Sequence, residues 1–371
     1  MTVPASGTLA GRQLVTDLQS FGLQVDGQVG GIARKGGAGP SDHRTVTIAG
    51  QTVMVPVYTA GARRSPFQAG PPGADGSHVL VRDGRPVGTI RFPAPPRFYG
   101  LTTADGVPYW KIALLHGRDT LATTVHQTCI RYADRRTSCQ FCAIGQSLEA
   151  GRTIAYKTPQ QLAEVAKAAV DLDQVRDMVL TTGTPNIVDR GAAVLAESAR
   201  AIKAAVDLPL QVQCEPPRDH DWFQRLRDVG ADTLGMHLEA ATQRVRERIM
   251  PGKATVSVDR YMDAFASAVP VFGRGQVNTY ILAGLGDTAE EILALAGRLI
   301  ALGVYPFVVP FVPISGTPLE DHAPPSAEFM ASLFTPLGKM LRTAGMTSSD
   351  IRAGCGRCGA CSSLSAYEAA A

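Results

Sequence analysis

DMVLTTGTPNIVDRGAAVLAESARAIKAAVDLPLQVQCEPPRDHDWFQRLRDVG, residues 177–230, reads as strand, helix, strand, helix, the last helix stopping at Gly230. Its strands lack a clean apolar–polar alternation, as expected of a parallel sheet covered by helices. The same alternation extends outward in both directions. Upstream, TLATTVHQ (120–127) is a strand and PQQLAEVAKAAVDL (159–172) a helix, with Thr158 as its cap and Pro159 at its first position. Downstream, the strands TLGMHLE (233–239), QVNTYILAG (276–284) and VYPFVVPFVPI (304–314) interleave with three long helical patterns, the last being SAEFMASLFTPLGKMLRTAG (326–345). About six β/α repeats predict an α/β fold with a partial (βα)6 TIM-type barrel. An open doubly wound sheet is the alternative. In either, the C-terminal ends of the strands carry the site.

The chain has 371 residues, 45% hydrophobic and 19% charged, a composition that excludes a disordered or fibrous protein. A formal net charge of +3 is too slight to argue for a nucleic-acid partner. No stretch approaches the ~20 apolar residues of a membrane span. The opening MTVPASGTLAGRQLV lacks the features of a secretory signal. The expected compartment is the cytoplasm. Residues 1–118 have a different texture, and are expected to form a β-rich N-terminal module. In it the Gly-rich stretch 27–40 precedes three hairpin patterns, turning at Ala49-Gly50, Asp83-Gly84 and Asp105-Gly106, and residues 62–77 read as loop. Residues 119–345 are then the barrel and 346–371 a cysteine-rich tail.

Seven cysteines fall into two triads, Cys129/Cys139/Cys142 and Cys355/Cys358/Cys361, with Cys214 alone. Such grouping in a large chain points to metal or cluster chemistry and away from a disulfide framework. The first triad lies in HQTCIRYADRRTSCQFCAIGQ (126–146), on the loop after the first barrel strand. Three thiolates bind three irons of a [4Fe–4S] cluster and leave the fourth open; a zinc site is the other reading.

This segment resembles the radical SAM superfamily, whose cluster loop follows the first strand. Cys139-Gln140-Phe141-Cys142 matches the closing pair of its motif, and the gap from Cys129 to Cys139 is longer than the family's usual one. The resemblance implies an Elp3-, MiaB- and NifB-like core over about residues 121–320. Thr182, Gly183 and Thr184 then take the methionyl amine of S-adenosylmethionine, Glu239 its ribose or amine, and Arg260 its carboxylate, with Arg248 as competitor. Ile281 and Leu282 flank the adenine, and Gly-Thr-Pro-Leu at 316–319 closes the barrel. More narrowly, the long first gap and the terminal CGRCGACSS resemble an uncharacterised radical SAM family of nitrilase-associated gene clusters.

The resemblance implies an enzyme that reductively cleaves S-adenosylmethionine and abstracts hydrogen from a small-molecule substrate, fed by an electron donor such as flavodoxin or ferredoxin. The tail triad Cys355/Cys358/Cys361 is expected to hold an auxiliary [4Fe–4S] cluster; zinc with His322 or His220 and a redox dithiol are the alternatives. Sulfur insertion or methylthiolation, and a non-catalytic zinc- or cluster-binding scaffold, remain open. His126 packs in its strand or donates to a cluster sulfide, and Cys214 is a buried structural thiol pointing into the barrel. Arg131, Arg135 and Arg136 read as a solvated loop face, with an acidic substrate or the reductant as alternative partner. Arg244, Arg246 and Arg248 read as partly surface charges. The tail is expected near the barrel bottom, away from the first triad unless its last residues fold back.

Overall fold

The computed structural model describes residues 9–25 and 42–369, so the Gly-rich stretch 27–40 lies outside the described residues. Helix α1 (Leu9–Phe21) packs Leu14, Val15 and Leu18 against a sheet of β1 (Gln24–Val25), β2 (His43–Ile48), β3 (Gln51–Pro56), β4 (Phe67–Pro72), β5 (His78–Arg82) and β6 (Arg85–Arg91). The strand order is β1-β4-β5-β6-β2-β3. Two of the expected hairpins form. Ala49-Gly50 and Asp83-Gly84 both have positive φ at each residue, which a tight two-residue turn requires.

Two expectations are corrected. Residues 67–72, read as loop, form β4: Gln68 and Ala69 pair with β1, and the prolines 71 and 72 lie beyond β1's reach, where no ladder donor is missed. The third hairpin pattern reduces to a single bridge from Thr102 to Pro108 and then a helical turn, Tyr109–Ile112, because Pro108 has no N–H to continue a ladder. Phe98, Tyr109 and Ile112 pack into the barrel's core, so the antiparallel sheet ends at Arg91 and residues 97–118 belong with the barrel.

The second sheet begins with β7 (Leu114–His116), antiparallel to β8 (Thr120–Thr124). From β8 onward each strand leads to a helix. These are α2 (Pro159–Asp173), β9 (Asp177–Thr181), α3 (Ala192–Ala205), β10 (Leu210–Gln213), α4 (Asp221–Asp228) and β11 (Thr233–Gly235). They continue with α5 (Gln243–Ile249), α6 (Val258–Phe272), β12 (Val277–Ala283), α7 (Ala289–Leu302), β13 (Val304–Pro310) and α8 (Ala327–Thr343). Order β13-β12-β11-β10-β9-β8-β7, with β8 to β13 parallel, makes an open half-barrel with helices outside. The helices start where the sequence places caps: Thr158 and Gln161 form a capping box at α2, and Thr288 and Glu291 at α7. Among the described residues no helix is long and apolar enough to cross a membrane.

After α8 the tail turns beneath the N-terminal ends of the barrel strands. The Thr233 hydroxyl donates to Ala353 O (3.0 Å), Cys355 N–H donates to Gln211 Oε1 (3.0 Å), and the Ser362 hydroxyl donates to Val308 O (2.6 Å). From the other side, Met54 N–H and Gln19 Nε2 both donate to Ala360 O, at 2.7 and 3.1 Å. The N-terminal sheet and the barrel floor thus clamp the tail between them. Asp177 is its anchor: fully buried, it accepts from Gly354 N–H, from the Thr120 hydroxyl (2.7 Å) and from Arg357 Nη1 (2.9 Å). Asp177→Ala leaves these donors without their acceptor and is expected to cost about 3 kcal/mol. The measurement is the Tm together with tryptic cleavage at Arg352 and Arg357. Unchanged cleavage would show that the tail is held elsewhere.

Candidate functional site

The segment after β8 folds into a loop over the strands' C-terminal ends. Local bonds shape it: Thr137 and Ser138 N–H both donate to Asp134 O at 2.9 Å, and Cys142 N–H donates to Cys139 O at 3.1 Å. Gln140 N–H donates to Ile249 O (2.9 Å) and Gly252 N–H to Thr137 O (3.1 Å), which ties the loop to the Pro-Gly-Lys turn after α5. At Gly183 a side chain would collide with Thr128 O, so glycine lets the end of β9 pass against the loop. Cys129, Cys139, Phe141 and Cys142 all line one cavity below. Burial pushes the Cys142 thiol up to about 12, and burial and then Glu239 hold Cys139 well above the ordinary thiol value.

Two buried ion pairs face these thiols. Arg131, read as solvated from its loop position, is buried and paired with Glu215, whose Oε1 also accepts from the Thr184 hydroxyl at 2.6 Å. Lys253 Nζ meets Glu239 Oε1 at 3.0 Å. Burial alone would raise Glu215, but Lys253, Arg131 and the Thr184 hydroxyl outweigh it and hold the carboxyl below its ordinary value. Burial opposes the charge on Lys253, and Glu239 overcomes it, so the ammonium is held above its usual range. Glu239 adopts a left-handed φ of 67°, and both Glu215 Oε2 and Glu239 Oε2 are buried with no hydrogen-bond partner. Unmet carboxylate oxygens beside three thiols fit a bound group carrying hydroxyl or ammonium donors, as S-adenosylmethionine does.

The same cavity, of about 370 Å³, reaches the barrel floor, where it is lined by Cys355, Cys358 and Cys361. Both triads therefore open on one space from opposite ends. Thr120 and Thr124 of β8 both line it, and that strand rises roughly 13 Å between them. The tail is at the barrel bottom as expected, yet the cavity joins it to the first triad. Gln213 Nε2 donates to Cys355 Sγ at 3.1 Å. Burial pushes Cys358 up to about 12 and raises Cys355. Three thiols at one end of the cavity are donors of the kind that ligate the irons of a cluster.

The remaining sequence-predicted residues separate into those at the cavity and those outside it. Thr182, Gly183, Thr184, Glu239 and Leu282 line it, and Gly183 N–H is already committed to His126 O (2.9 Å). Ile281 is buried in β12 outside the lining. Arg260 is corrected: it stands exposed on the first turn of α6, and the cations at the cavity are Arg131 and Lys253. Arg248 donates to Leu285 O (2.6 Å), away from the cavity. Arg246 is fully buried against Tyr261, donating to Leu238 O and Val256 O, so it is no surface charge. His322 and His220 are also displaced as tail ligands, since they bond to Gly284 O (2.8 Å) and the Ser267 hydroxyl (2.9 Å). His126 sits at the rim against Tyr156, and Cys214 is buried on the cavity wall. The sequence reading took Arg131 for a solvated loop residue and assigned no role to Glu215, Lys253, His237 or His116.

With this geometry in place, the family described as the Radical SAM superfamily matches residues 134–299, which bears out the resemblance carried by the cysteine loop. The chain is 25% identical over 213 residues to bacteriochlorophyllide c C-7(1)-hydroxylase of Chlorobaculum limnaeum, covering 52% of each chain. It is 24% identical over 169 residues to lipoyl synthase of Symbiobacterium thermophilum (45% of this chain, 50% of the other). A dual-specificity RNA methyltransferase of Solidesulfovibrio magneticus is 32% identical over 141 residues (35% and 37%). The chain spans about half or less of the length of these relatives. Among solved structures, methylornithine synthase superimposes with a TM-score of 0.47 at 19% identity, covering 60% of this chain and 62% of that one.

Lys157, under the loop, donates to Thr124 O (2.7 Å), and burial brings its pKa down to about 7. An unfolded lysine keeps its proton to about pH 10.4. Between these values the unfolded chain binds more protons, so this residue makes stability rise with pH. In Lys157→Met that rise is expected to shrink by about 1.4 kcal/mol per pH unit, read from urea unfolding at pH 7, 8 and 9. Parallel curves for the two proteins would refute a depressed lysine.

Proposed function

We propose that the chain is a radical SAM enzyme acting on a small molecule, with a [4Fe–4S] cluster held by Cys129, Cys139 and Cys142. The observation that carries this reading is one cavity bearing that triad together with the unmet oxygens of Glu215 and Glu239. When bound, the cluster and S-adenosylmethionine supply a 5′-deoxyadenosyl radical that abstracts hydrogen from substrate. The chain's own part is to bind, orient and exclude water. Glu239 and Glu215 accept from the cofactor's hydroxyl and ammonium groups. Lys253 and Arg131 answer its carboxylate in place of Arg260, and Phe141 and Leu282 provide apolar walls. A flavodoxin or ferredoxin is the proposed reductant, and the cytoplasm the proposed location.

A cavity of about 370 Å³ matches a small organic substrate. On its wall, His237 Nδ1 accepts from Tyr280 N–H (3.3 Å), which leaves the proton on Nε2, buried and without a partner. Burial and then Lys253 bring the imidazole down to about 3, so it is a neutral donor at any working pH. The substrate proposed is accordingly uncharged where it meets His237, and brings an acceptor atom. The tail triad is proposed to hold a second cluster. Because its thiols face the same cavity, sulfur insertion or methylthiolation drawing on that cluster is the second reading.

Iron and sulfide after anaerobic reconstitution test the assignment. About eight irons per chain are expected, falling to about four in a Cys355/Cys358/Cys361→Ala variant. With dithionite and S-adenosylmethionine the protein is expected to form 5′-deoxyadenosine, and Cys139→Ala to form none. Zinc in place of iron throughout would overturn the reading, and protein sulfide consumed with turnover would favour the second one. Separately, Glu239→Gln is expected to weaken S-adenosylmethionine binding about tenfold (about 1.4 kcal/mol, one charge-assisted hydrogen bond) with iron content unchanged, by equilibrium dialysis.

A further inference from the structure

The tail thiols have a neighbour that cysteine spacing does not announce. His116 ends β7, the antiparallel strand at the edge of the barrel sheet, and is buried at 8% exposure. Its imidazole touches two of the three thiols at once: Nδ1 lies 3.6 Å from Cys358 Sγ and Nε2 3.6 Å from Cys361 Sγ. The turn that follows is cut to fit the same group. At Gly117, with φ of 61°, a Cβ would lie 2.7 Å from Cys358 Sγ and 3.0 Å from Ala360 Cβ, so only glycine lets β7 close on the tail. Arg357, one residue before Cys358, is held over this end by Asp119 (3.0 Å) and Asp177 (2.9 Å) and brings a cation to the thiols. His116, Cys355, Cys358 and Cys361 thus ring one end of the cavity.

We infer that His116 is the fourth protein ligand of an iron–sulfur cluster at Cys355, Cys358 and Cys361, so that this cluster has no open iron. The inference rests on the proposal that the tail binds a cluster. Thiolate and neutral imidazole are both iron ligands, and exchanging a thiolate for an imidazole raises a cluster's potential. Cys355, Cys358, Cys361 and His116 together offer four donors at one end of the cavity, one for each iron of a [4Fe–4S] cluster. The cavity's two ends then differ in kind. At the Cys129 end the described histidines are engaged elsewhere: His237 is tied by its Nδ1 to Tyr280, His126 lies against Tyr156, and His43 is on β2 of the N-terminal sheet. Substrate and cofactor have an open iron at one end only, and the tail cluster acts as an electron relay or a structural wall.

The test uses the full chain with Cys129, Cys139 and Cys142 changed to Ala, so that only the tail site is loaded. This protein is compared with the same chain bearing His116→Ala or His116→Cys after anaerobic reconstitution. With His116 present, about four irons and, in the reduced state, a strong ¹⁴N hyperfine coupling in pulsed EPR are expected. The coupling should vanish in His116→Cys while the iron stays, with a lower midpoint potential; that variant guards against loss of folding in His116→Ala. A tail cluster that shows no nitrogen coupling, or whose coupling survives His116→Cys, overturns the ligand assignment alone. A tail that takes up no iron at all in any of the three proteins overturns the tail-cluster reading itself.

Discussion

Asp177 is a carboxylate buried at the start of β9, and the closure of the barrel depends on it. Burial pushes its carboxyl above the ordinary value, and hydrogen bonds from Gly354 and Thr120 and the charge of Arg357 work against that rise. Those donors come from the tail and from β8, so satisfying one buried acid draws the two together beneath the floor. A half-barrel of six parallel strands is open along one side and at both ends. With the tail under it and the N-terminal sheet under the tail, the floor end is closed. The N-terminal module, whose role the sequence leaves blank, has a physical one: through Gln19 and Met54 it holds the backbone of Ala360 between Cys358 and Cys361.

Closure makes the interior electrostatics expensive, and the upper end shows how the chain meets that cost. Two carboxylates and three thiols face this space, and among its described lining residues Arg131 and Lys253 stand against them. Each cation is shared with one carboxylate oxygen, and each carboxylate keeps its second oxygen unmet. A buried acceptor without a donor costs on the order of 1–3 kcal/mol, so a ligand that satisfies both recovers that energy on binding. The lower end is balanced differently, by Arg357 and by neutral donors, Gln213 and His116.

What the sequence made legible follows from how local each signal is. Strand and helix periodicity, the cap at Thr158 and the tight turns at Ala49-Gly50 and Asp83-Gly84 are set by neighbouring residues, and they appear where expected. The thiols were legible because cysteine spacing is local too. Arg131 was not: an arginine in a long loop is solvated by default, and its burial depends on Glu215, 84 positions away. Arg260 was misplaced for the converse reason. A Pro-Gly-Lys turn shows that the chain bends, but not which side of α6 faces inward, and there the inward cation is the turn's own Lys253. His116 lies 242 residues from Cys358, and nothing in either segment points to the other.

The cavity's length gives a further constraint. If the hydrogen-abstracting end is at Cys129, the group reacting with it lies near the strand C-termini, at the other end of the cavity from the tail thiols. A molecule that touches only the upper end does not reach the tail thiols, and a group bound to them would act on it only across the middle of the barrel. Between the two thiol sets the wall carries Cys214 and His237, and Gln213 and Tyr280 stand beside the tail thiols. Burial pushes Cys214 up to about 12 and Tyr280 well above its ordinary value, and it holds His237 neutral. None of the four carries a charge near neutral pH, so the field between the two thiol sets arises from the ends alone. A substrate seated there meets directed hydrogen-bond donors with no competing ion. This favours an uncharged polar group in the barrel's middle and leaves charged groups to the ion-paired rim.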